Sequence, residues 1–296
     1  MSCPHCGAPI AEESYGRSLV TCTYCRGTFA PDGRAVYRMA FARSLKEAEE
    51  RTIGPTIALR GRRYVPELEL ARSPRAVTFV ARAEVPAIER VVLKLARDAA
   101  YVERERSVLA ALAASTEAGH AHFATRVPQL VASGVADLEG TGAPAIAVRQ
   151  RRGYLHTGED VRRAFPSGLD GRHVVWMWRR VLEVLGFAHR TGWVHGAVSL
   201  EHLVVCARDH GVLVVGWASA QRSSPGAIKG DVAASAAAMR ALGEATMPDP
   251  LREAILAAET GGASDAWELA DAVGHAARRA YGPPTFHPLD LPPFRR

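Results

Sequence analysis

The stretch Val194-His195-Gly196-Ala197-Val198-Ser199-Leu200-Glu201-His202-Leu203 stands at the centre of the pattern that decides the fold. Before it, residues 172–189 carry apolar side chains at helical spacing and predict a long helix. After it, the apolar runs at residues 203–207 and 212–215 predict a β-hairpin. The stretch is therefore predicted to be an irregular loop between a long helix and a hairpin.

The chain before Gly153 is predicted to be rich in β-strands. Residues 76–83 and 90–95 are β-rich runs joined by a short turn that contains proline, a pattern that predicts a hairpin. Residues 98–112 predict a helix, and residues 127–133 and 145–150 predict further strands. Beyond Gly153 the pattern is mainly helical. The sequence thus predicts an α+β chain, in which a small β-rich half precedes a larger helical half.

Three further segments complete an ordered set of motifs. Val91-Val92-Leu93-Lys94 ends on a lysine, and lysine is scarce among the 37 basic residues of this chain. Glu105-Arg106-Ser107-Val108-Leu109 lies in the predicted helix of the first half. Val215-Gly216-Trp217-Ala218 follows the predicted hairpin, and Asp231 comes shortly afterwards. No one of these segments is specific by itself, but their order is informative.

The ordered set resembles the landmarks of protein kinases over residues 56–281. The resemblance implies a bilobal kinase-like fold, with a small lobe over residues 56–152, a large lobe over residues 153–281 and an extended tail over residues 282–296. It also implies that Lys94 would contact the α and β phosphates of ATP. Glu105 would be the partner of Lys94, with Glu103 as the competitor, and Asp231 would brace the loop from beneath.

Three positions that carry chemistry in kinases hold other residues here. The central loop resembles HRDLxxxN, but Ala197 replaces the catalytic aspartate and His202 replaces the metal-binding asparagine. Gly216 replaces the aspartate of the DFG segment, which is the main Mg²⁺ ligand. Residues 70–77, where a phosphate-covering glycine loop would lie, contain no glycine.

These replacements favour a pseudokinase that acts as a scaffold or regulatory module with a protein partner. Phosphoryl transfer depends on positioning and on neutralising charge around the γ-phosphate, and these residues cannot hold magnesium for that purpose. Weak binding of ATP through Lys94 and Glu105, without the usual Mg²⁺ ligands, stays open. A divergent active kinase is the alternative, and it would need carboxylates from Glu201, Asp209 or Asp231.

The cysteines indicate a separate module at the N-terminus. Cys3, Cys6, Cys22 and Cys25 form two CxxC pairs separated by 15 residues. Two such knuckles supply four thiolates, the ligand set of a closed structural Zn²⁺ site. Residues 1–34 resemble a zinc ribbon, and residues 35–55 are predicted to link it to the next domain, chiefly through an amphipathic helix. A disulfide pair or a redox CxxC is the weaker interpretation in a cytoplasmic protein.

Composition and charge limit the class of protein and the kinds of ligand that we expect. The chain is 48% apolar and 23% charged and has a net charge of +6, which is typical of a globular protein. Neither a long apolar run nor a secretory pattern is seen, so we expect a cytoplasmic protein without a membrane role. The bias for arginine and alanine suggests a bacterial source. Residues 1–34 are electrically balanced, which disfavours nucleic acid as the ligand of the knuckle, although a zinc-ribbon adaptor for protein or nucleic acid is a third hypothesis.

Overall fold

The protein is described here by a computed structural model that covers residues 52–85, 89–151 and 153–292, together with residues 3, 8, 9, 20–24, 28 and 29. The predicted linker helix at residues 35–51 lies outside the described residues, as do Cys6 and Cys25. The chain divides into two compact units. None of the helices in the described segments has the length and apolar character that crossing a membrane requires.

The first unit contains the described residues up to Arg106 and Leu130–Gly153. Two short strands, β1 (Val20–Thr21) and β2 (Thr28–Phe29), form a separate antiparallel pair near the N-terminus. Six longer strands close into a barrel in the order β3-β4-β5-β6-β8-β7. They are β3 (Ile57–Leu59), β4 (Arg62–Arg72), β5 (Ala76–Ala83), β6 (Arg90–Ala96), β7 (Leu130–Leu138) and β8 (Thr141–Arg149).

The barrel is closed by a single pairing and filled by small side chains. Ala58 of β3 lies opposite Asp137 of β7, and this pairing joins the two ends of the sheet. The interior holds Tyr64, Ile57, Leu93 and a group of buried alanines: Ala81, Ala83, Ala136, Ala145 and Ala147. Small side chains allow a narrow barrel to close around a few large ones. The result is a rigid frame for β6, the strand that carries Lys94.

The predicted elements of this half are largely confirmed. The hairpin of β5 and β6 matches the predicted runs, and helix α1 (Ala99–Ala113) matches the helix expected at residues 98–112. The strand predicted at residues 127–133 is instead found at Leu130–Leu138. Pro128 explains the later start, because proline has no N–H to donate to a sheet. The strand ends at the turn formed by Glu139 and Gly140, both of which have positive φ.

The second unit contains Ser107–Gln129 and Tyr154–Pro292. Its helices are α2 (His120–Phe123), α3 (Gly158–Ala164), α4 (Gly171–Arg190), α5 (Pro225–Gly243), α6 (Asp249–Glu259) and α7 (Ala266–Tyr281). Its short strands are β9 (His156–Thr157), β10 (Trp193–Val194), β11 (Leu203–Cys206), β12 (Gly211–Val214) and β13 (Gln221–Arg222). A sheet of order β12-β11-β9 and the pair β10-β13 organise the irregular segments between the helices.

Helix α4 is the centre of this unit. It begins at the side chain of Asp170, which accepts a hydrogen bond from the backbone N–H of Arg172. Its apolar face is fully buried, and Trp178 donates from Nε1 to Oγ of Ser235 on α5. The predicted long helix and the predicted hairpin of β11 and β12 are both confirmed. Between them lies the stretch that resembles the kinase catalytic loop.

Candidate functional site

Lys94 and Glu105 meet in the first unit. Lys94 projects from β6 and Glu105 from α1, and Lys94 Nζ lies 2.6 Å from Oε2 of Glu105. The two side chains are only 16% and 5% exposed. The ring of Tyr101 lies 5.5 Å from the same ammonium group, measured to the ring centroid. Glu103, the competing partner considered from sequence, forms an ion pair with Arg106 on the same helix.

The turn between β4 and β5 takes the place of a phosphate-covering loop. Ser73 closes it, because its Oγ accepts hydrogen bonds from the backbone N–H groups of Arg75 and Ala76 at 3.2 and 3.1 Å. The N–H of Ser73 donates to the carbonyl of Ala76 at 2.9 Å. A phosphate-binding loop needs backbone N–H groups that point outward and are unpaired. In this turn those groups are already used by the chain itself.

The loop of the second unit is anchored by Asp231, from the second turn of α5. Its two carboxylate oxygens accept hydrogen bonds from the backbone N–H groups of His195 and Gly196, at 2.6 and 2.8 Å. Nε2–H of His189, near the end of α4, donates to the same carboxylate at 3.1 Å. This is the bracing role that the kinase resemblance implied for Asp231. His189 was not singled out from sequence, although it stands at the end of the predicted helix.

His195 connects the loop to the segment after the hairpin. Its Nε2–H donates to the carbonyl of Val215 at 2.8 Å, and its Nδ1 accepts from the N–H of Ala197 at 3.2 Å. Both ring nitrogens are thus engaged, which fixes the neutral imidazole in one tautomer. The ring packs edge-on against Trp217, with centroids 4.7 Å apart. His195 is completely buried and has a structural role.

Ala197, His202 and Gly216 are brought together in this unit. Nδ1–H of His202 donates to the carbonyl of Ala197 at 2.6 Å, so the imidazole is held across the loop. A Cβ atom placed on Gly216 would lie 2.5 Å from Cδ2 and 2.6 Å from Nε2 of His202. At such distances a side chain at position 216 would require the His202 ring to shift. His202 therefore fills the space in which an aspartate at that position would begin.

The carboxylates that an active enzyme would need are committed elsewhere or lie outside this cluster. Asp209 lies in the turn between β11 and β12 and pairs with Arg208 at 2.7 Å. Glu201 is exposed in the single helical turn Leu200–His202. Asp231 accepts the three hydrogen bonds described above. The side chains at the three positions are the methyl group of Ala197, the imidazole of His202 and the hydrogen atom of Gly216. They do not fit Mg²⁺, which requires oxygen ligands.

Only part of the predicted zinc site falls within the described residues. Cys3 and Cys22 are buried, with 2% and 0% of their surface exposed. Cys22 directly follows β1, and β2 begins shortly after Cys25. Cys6 and Cys25 lie outside the described residues, and no metal-binding cluster of three or more side chains occurs in the part that the structure describes. Cys206 is buried in β11.

Known proteins resemble the chain in fold only. No protein-family model and no curated protein matches the sequence. The solved structure of vaccinia related kinase 3 superposes with a TM-score of 0.59 at 12% identity, over 80% of this chain and 96% of that one. A second solved structure, described as a kinase domain, has a TM-score of 0.47 at 9% identity, over 62% of this chain and 65% of its own. The chain therefore has a mixed helix and sheet fold of the protein-kinase-like class.

Proposed function

We propose that this protein is a pseudokinase: a kinase-like scaffold or regulatory module that does not transfer phosphate. The observation that carries the proposal is the contact between His202 and Gly216. At the position of the main Mg²⁺ ligand there is no side chain, and the neighbouring imidazole fills the space in which one would lie. Loss of one group that stabilises the transition state typically costs about 3–4 kcal/mol. Here three such groups are replaced together, and activity should be near background.

The alternative of a divergent active kinase finds little support in the carboxylates. Asp231 holds the loop through its hydrogen bonds, so its release for catalysis would leave the N–H groups of His195, which is buried, and of Gly196 without their acceptor. Asp209 is paired with Arg208 in a hairpin turn. Glu201 is exposed, but its counterpart in kinases has no catalytic task.

We propose that nucleotide binding by this chain is weak and independent of magnesium. The Lys94–Glu105 pair supports a phosphate-binding role, because it holds the ammonium group in one place. The Ser73 turn argues against tight binding, since its N–H groups are already used. The pair is therefore expected to brace the first unit and at most to contact a nucleotide loosely.

The N-terminal cysteines are proposed to hold one structural Zn²⁺ through Cys3, Cys6, Cys22 and Cys25. The burial of Cys3 and Cys22 supports this, because thiolate ligands of structural zinc are shielded from solvent. The balanced charge of residues 1–34 favours protein over nucleic acid as a partner of this module. Salt-dependent binding to DNA or RNA would instead support the zinc-ribbon adaptor hypothesis.

A thermal-shift titration with ATP, with and without Mg²⁺ or Mn²⁺, tests the main proposal. We expect no metal-dependent rise in melting temperature and no transfer of the γ-phosphate of labelled ATP to protein. Lys94→Met is the informative variant, and Lys229→Met, at an exposed position of α5, is the matched control. Metal-dependent phosphate transfer that Lys94→Met abolishes and Lys229→Met retains would overturn the pseudokinase proposal.

A further inference from the structure

The segment at residues 282–292, which we call the C-terminal strap, is held on the second unit by two histidines. It follows α7 and has no regular secondary structure. Nε2–H of His210, in the turn between β11 and β12, donates to the carbonyl of His287 at 2.9 Å. Nε2–H of His156, in β9, donates to the carbonyl of Pro292 at 2.9 Å. Two histidines far from the strap in sequence therefore bind its backbone.

An aromatic stack adds to this attachment. The His210 ring lies between the rings of Trp176 and Phe286, with centroid distances of 4.4 and 4.3 Å and interplanar angles of 4° and 19°. Phe286 is nevertheless 64% exposed. One face of Phe286 thus rests on His210 while much of its surface meets water. The position of this part of the strap depends on the His210 ring, which in turn rests on Trp176.

His173 controls the orientation of Trp176. Nε1–H of Trp176 donates to Nδ1 of His173 at 3.1 Å, one turn earlier on α4. An indole nitrogen is only a donor, so Nδ1 of His173 must be unprotonated for this bond to exist. Protonation of His173 would place two N–H groups face to face. The Trp176 side chain would then lose its hydrogen-bond acceptor, and this bond would no longer fix its orientation.

Charged groups around the cluster come from three elements. Helix α4 contributes Asp170, Arg172 and Arg180, the hairpin turn contributes His210 beside the Arg208–Asp209 ion pair, and the strap contributes His287. Burial is the main cause that lowers the pKa of both His173 and His210 from 6.5, and neighbouring positive groups lower it further. The hydrogen bond to the carbonyl of His287 acts in the opposite direction on His210. Asp170 acts in the opposite direction on His173.

We propose that His173, Trp176, His210 and Phe286 form a pH-sensitive latch, which holds the part of the C-terminal strap around Phe286 at neutral pH and releases that part in mild acid. The sign follows from proton linkage: the two histidines bind protons less readily when latched than when exposed. The released state therefore takes up more protons, and latching weakens as the pH falls below about 6.5, the ordinary pKa of histidine. Above that pH the latch keeps its full stability.

The test places 4-fluorophenylalanine at position 286 of the full chain and follows its ¹⁹F resonance from pH 7.5 to pH 5.5. Release should move the resonance from the stacked to the solvated shift, and at pH 5.5 the ratio of released to latched chains should have risen by at most about tenfold for each of the two histidines, because that pH lies about one unit below the ordinary pKa of histidine. Far-UV circular dichroism over the same range checks that the helices stay folded.

Two variants make the test specific. His173→Gln offers Trp176 an acceptor that does not titrate, and combined with His210→Phe, which keeps a ring in the stack, it should keep the resonance at the stacked shift at every pH. His275→Gln, at an exposed position of α7, is the matched control and should behave like the unmodified chain. The latch is wrong if the unmodified chain shows no change at pH 5.5, or if the combined variant keeps the full transition while folded.

Discussion

The imidazole of His202 occupies the space above Gly216 in which any side chain on that glycine would begin. One feature of each residue produces this contact. Nδ1–H of His202 is tied to the carbonyl of Ala197, and Gly216 has a φ of +86°, in the left-handed region that favours glycine. The residues at positions 202 and 216 are therefore not independent of each other. Each one fits the structure because of the residue at the other.

Introducing an aspartate at position 216 alone should consequently damage the fold. Gly216→Asp introduces both a left-handed non-glycine residue and a collision with His202, at an expected cost of about 2–4 kcal/mol in the free energy of unfolding. His202→Asn in the same chain removes the collision and should recover about 1–2 kcal/mol as a coupling energy. Urea denaturation of both single variants and the double variant measures this.

Gly226→Asp is the control for that experiment. No atom lies within 4 Å of a Cβ placed on Gly226, which lies in the first turn of α5, where a carboxylate is tolerated. Its unfolding free energy should stay within about 0.5 kcal/mol of the unmodified value. Equal losses for Gly226→Asp and Gly216→Asp would show that steric contact with His202 is not the cause.

Removing one partner of the Lys94–Glu105 pair should destabilise the unit more than replacing both partners with apolar residues. Lys94→Met leaves the buried Glu105 without its partner and should cost about 3 kcal/mol in unfolding free energy. Glu105→Leu combined with Lys94→Met exchanges the pair for apolar contacts and should cost less than the single change. Chemical denaturation of the series decides between these outcomes. A double variant less stable than Lys94→Met would contradict this prediction, because it would mean that Glu105 stabilises the unit even without Lys94.

Asp231 should be more sensitive to loss of both oxygens than to loss of one. Asp231→Ala leaves the N–H groups of His195 and Gly196 without an acceptor, and the buried one, at His195, should cost about 1–3 kcal/mol. Asp231→Asn keeps one acceptor oxygen and should lose less. Hydrogen exchange at those two amides should accelerate in both variants, and more in the alanine variant.

Asp271→Ala serves as the comparison for position 231, because Asp271 is exposed on α7. It should alter neither the unfolding free energy nor the exchange of the two amides. Unchanged exchange at His195 and Gly196 in Asp231→Ala would contradict the bracing role of this carboxylate.

The thiol of Cys206 and the four N-terminal thiols should differ in their reactivity and in zinc binding. Burial raises the pKa of the Cys206 thiol, so little thiolate is present and the group should react with a disulfide reagent at pH 8 only after denaturant is added. The four N-terminal cysteines should carry about one zinc per chain, released by a mercurial in the presence of a chromogenic chelator. Cys22→Ser should abolish that release, while Cys206→Ser should leave it intact. Full zinc content in Cys22→Ser would rule out this ligand set.

Local patterns were enough to predict most of the elements. The hairpin of β5 and β6, helix α4 and the hairpin of β11 and β12 each have a repeat of apolar residues that depends only on neighbours along the chain. The start of β7 was missed, although Pro128 was a signal that could have placed it. The closing turn by Ser73 also had a local signal, since serine before proline favours a turn.

The sequence by itself determined the order of strands and helices and the absence of carboxylates at positions 197 and 216, because the identity and the periodicity of side chains can be read along the chain. Only the tertiary structure decided that His202 fills the space at Gly216, that Asp231 collects three donors and that His210 holds the strap. These contacts join residues distant in sequence, and their geometry depends on how separate elements pack. Periodicity describes which face of an element is apolar, but it does not specify which distant side chain will meet it.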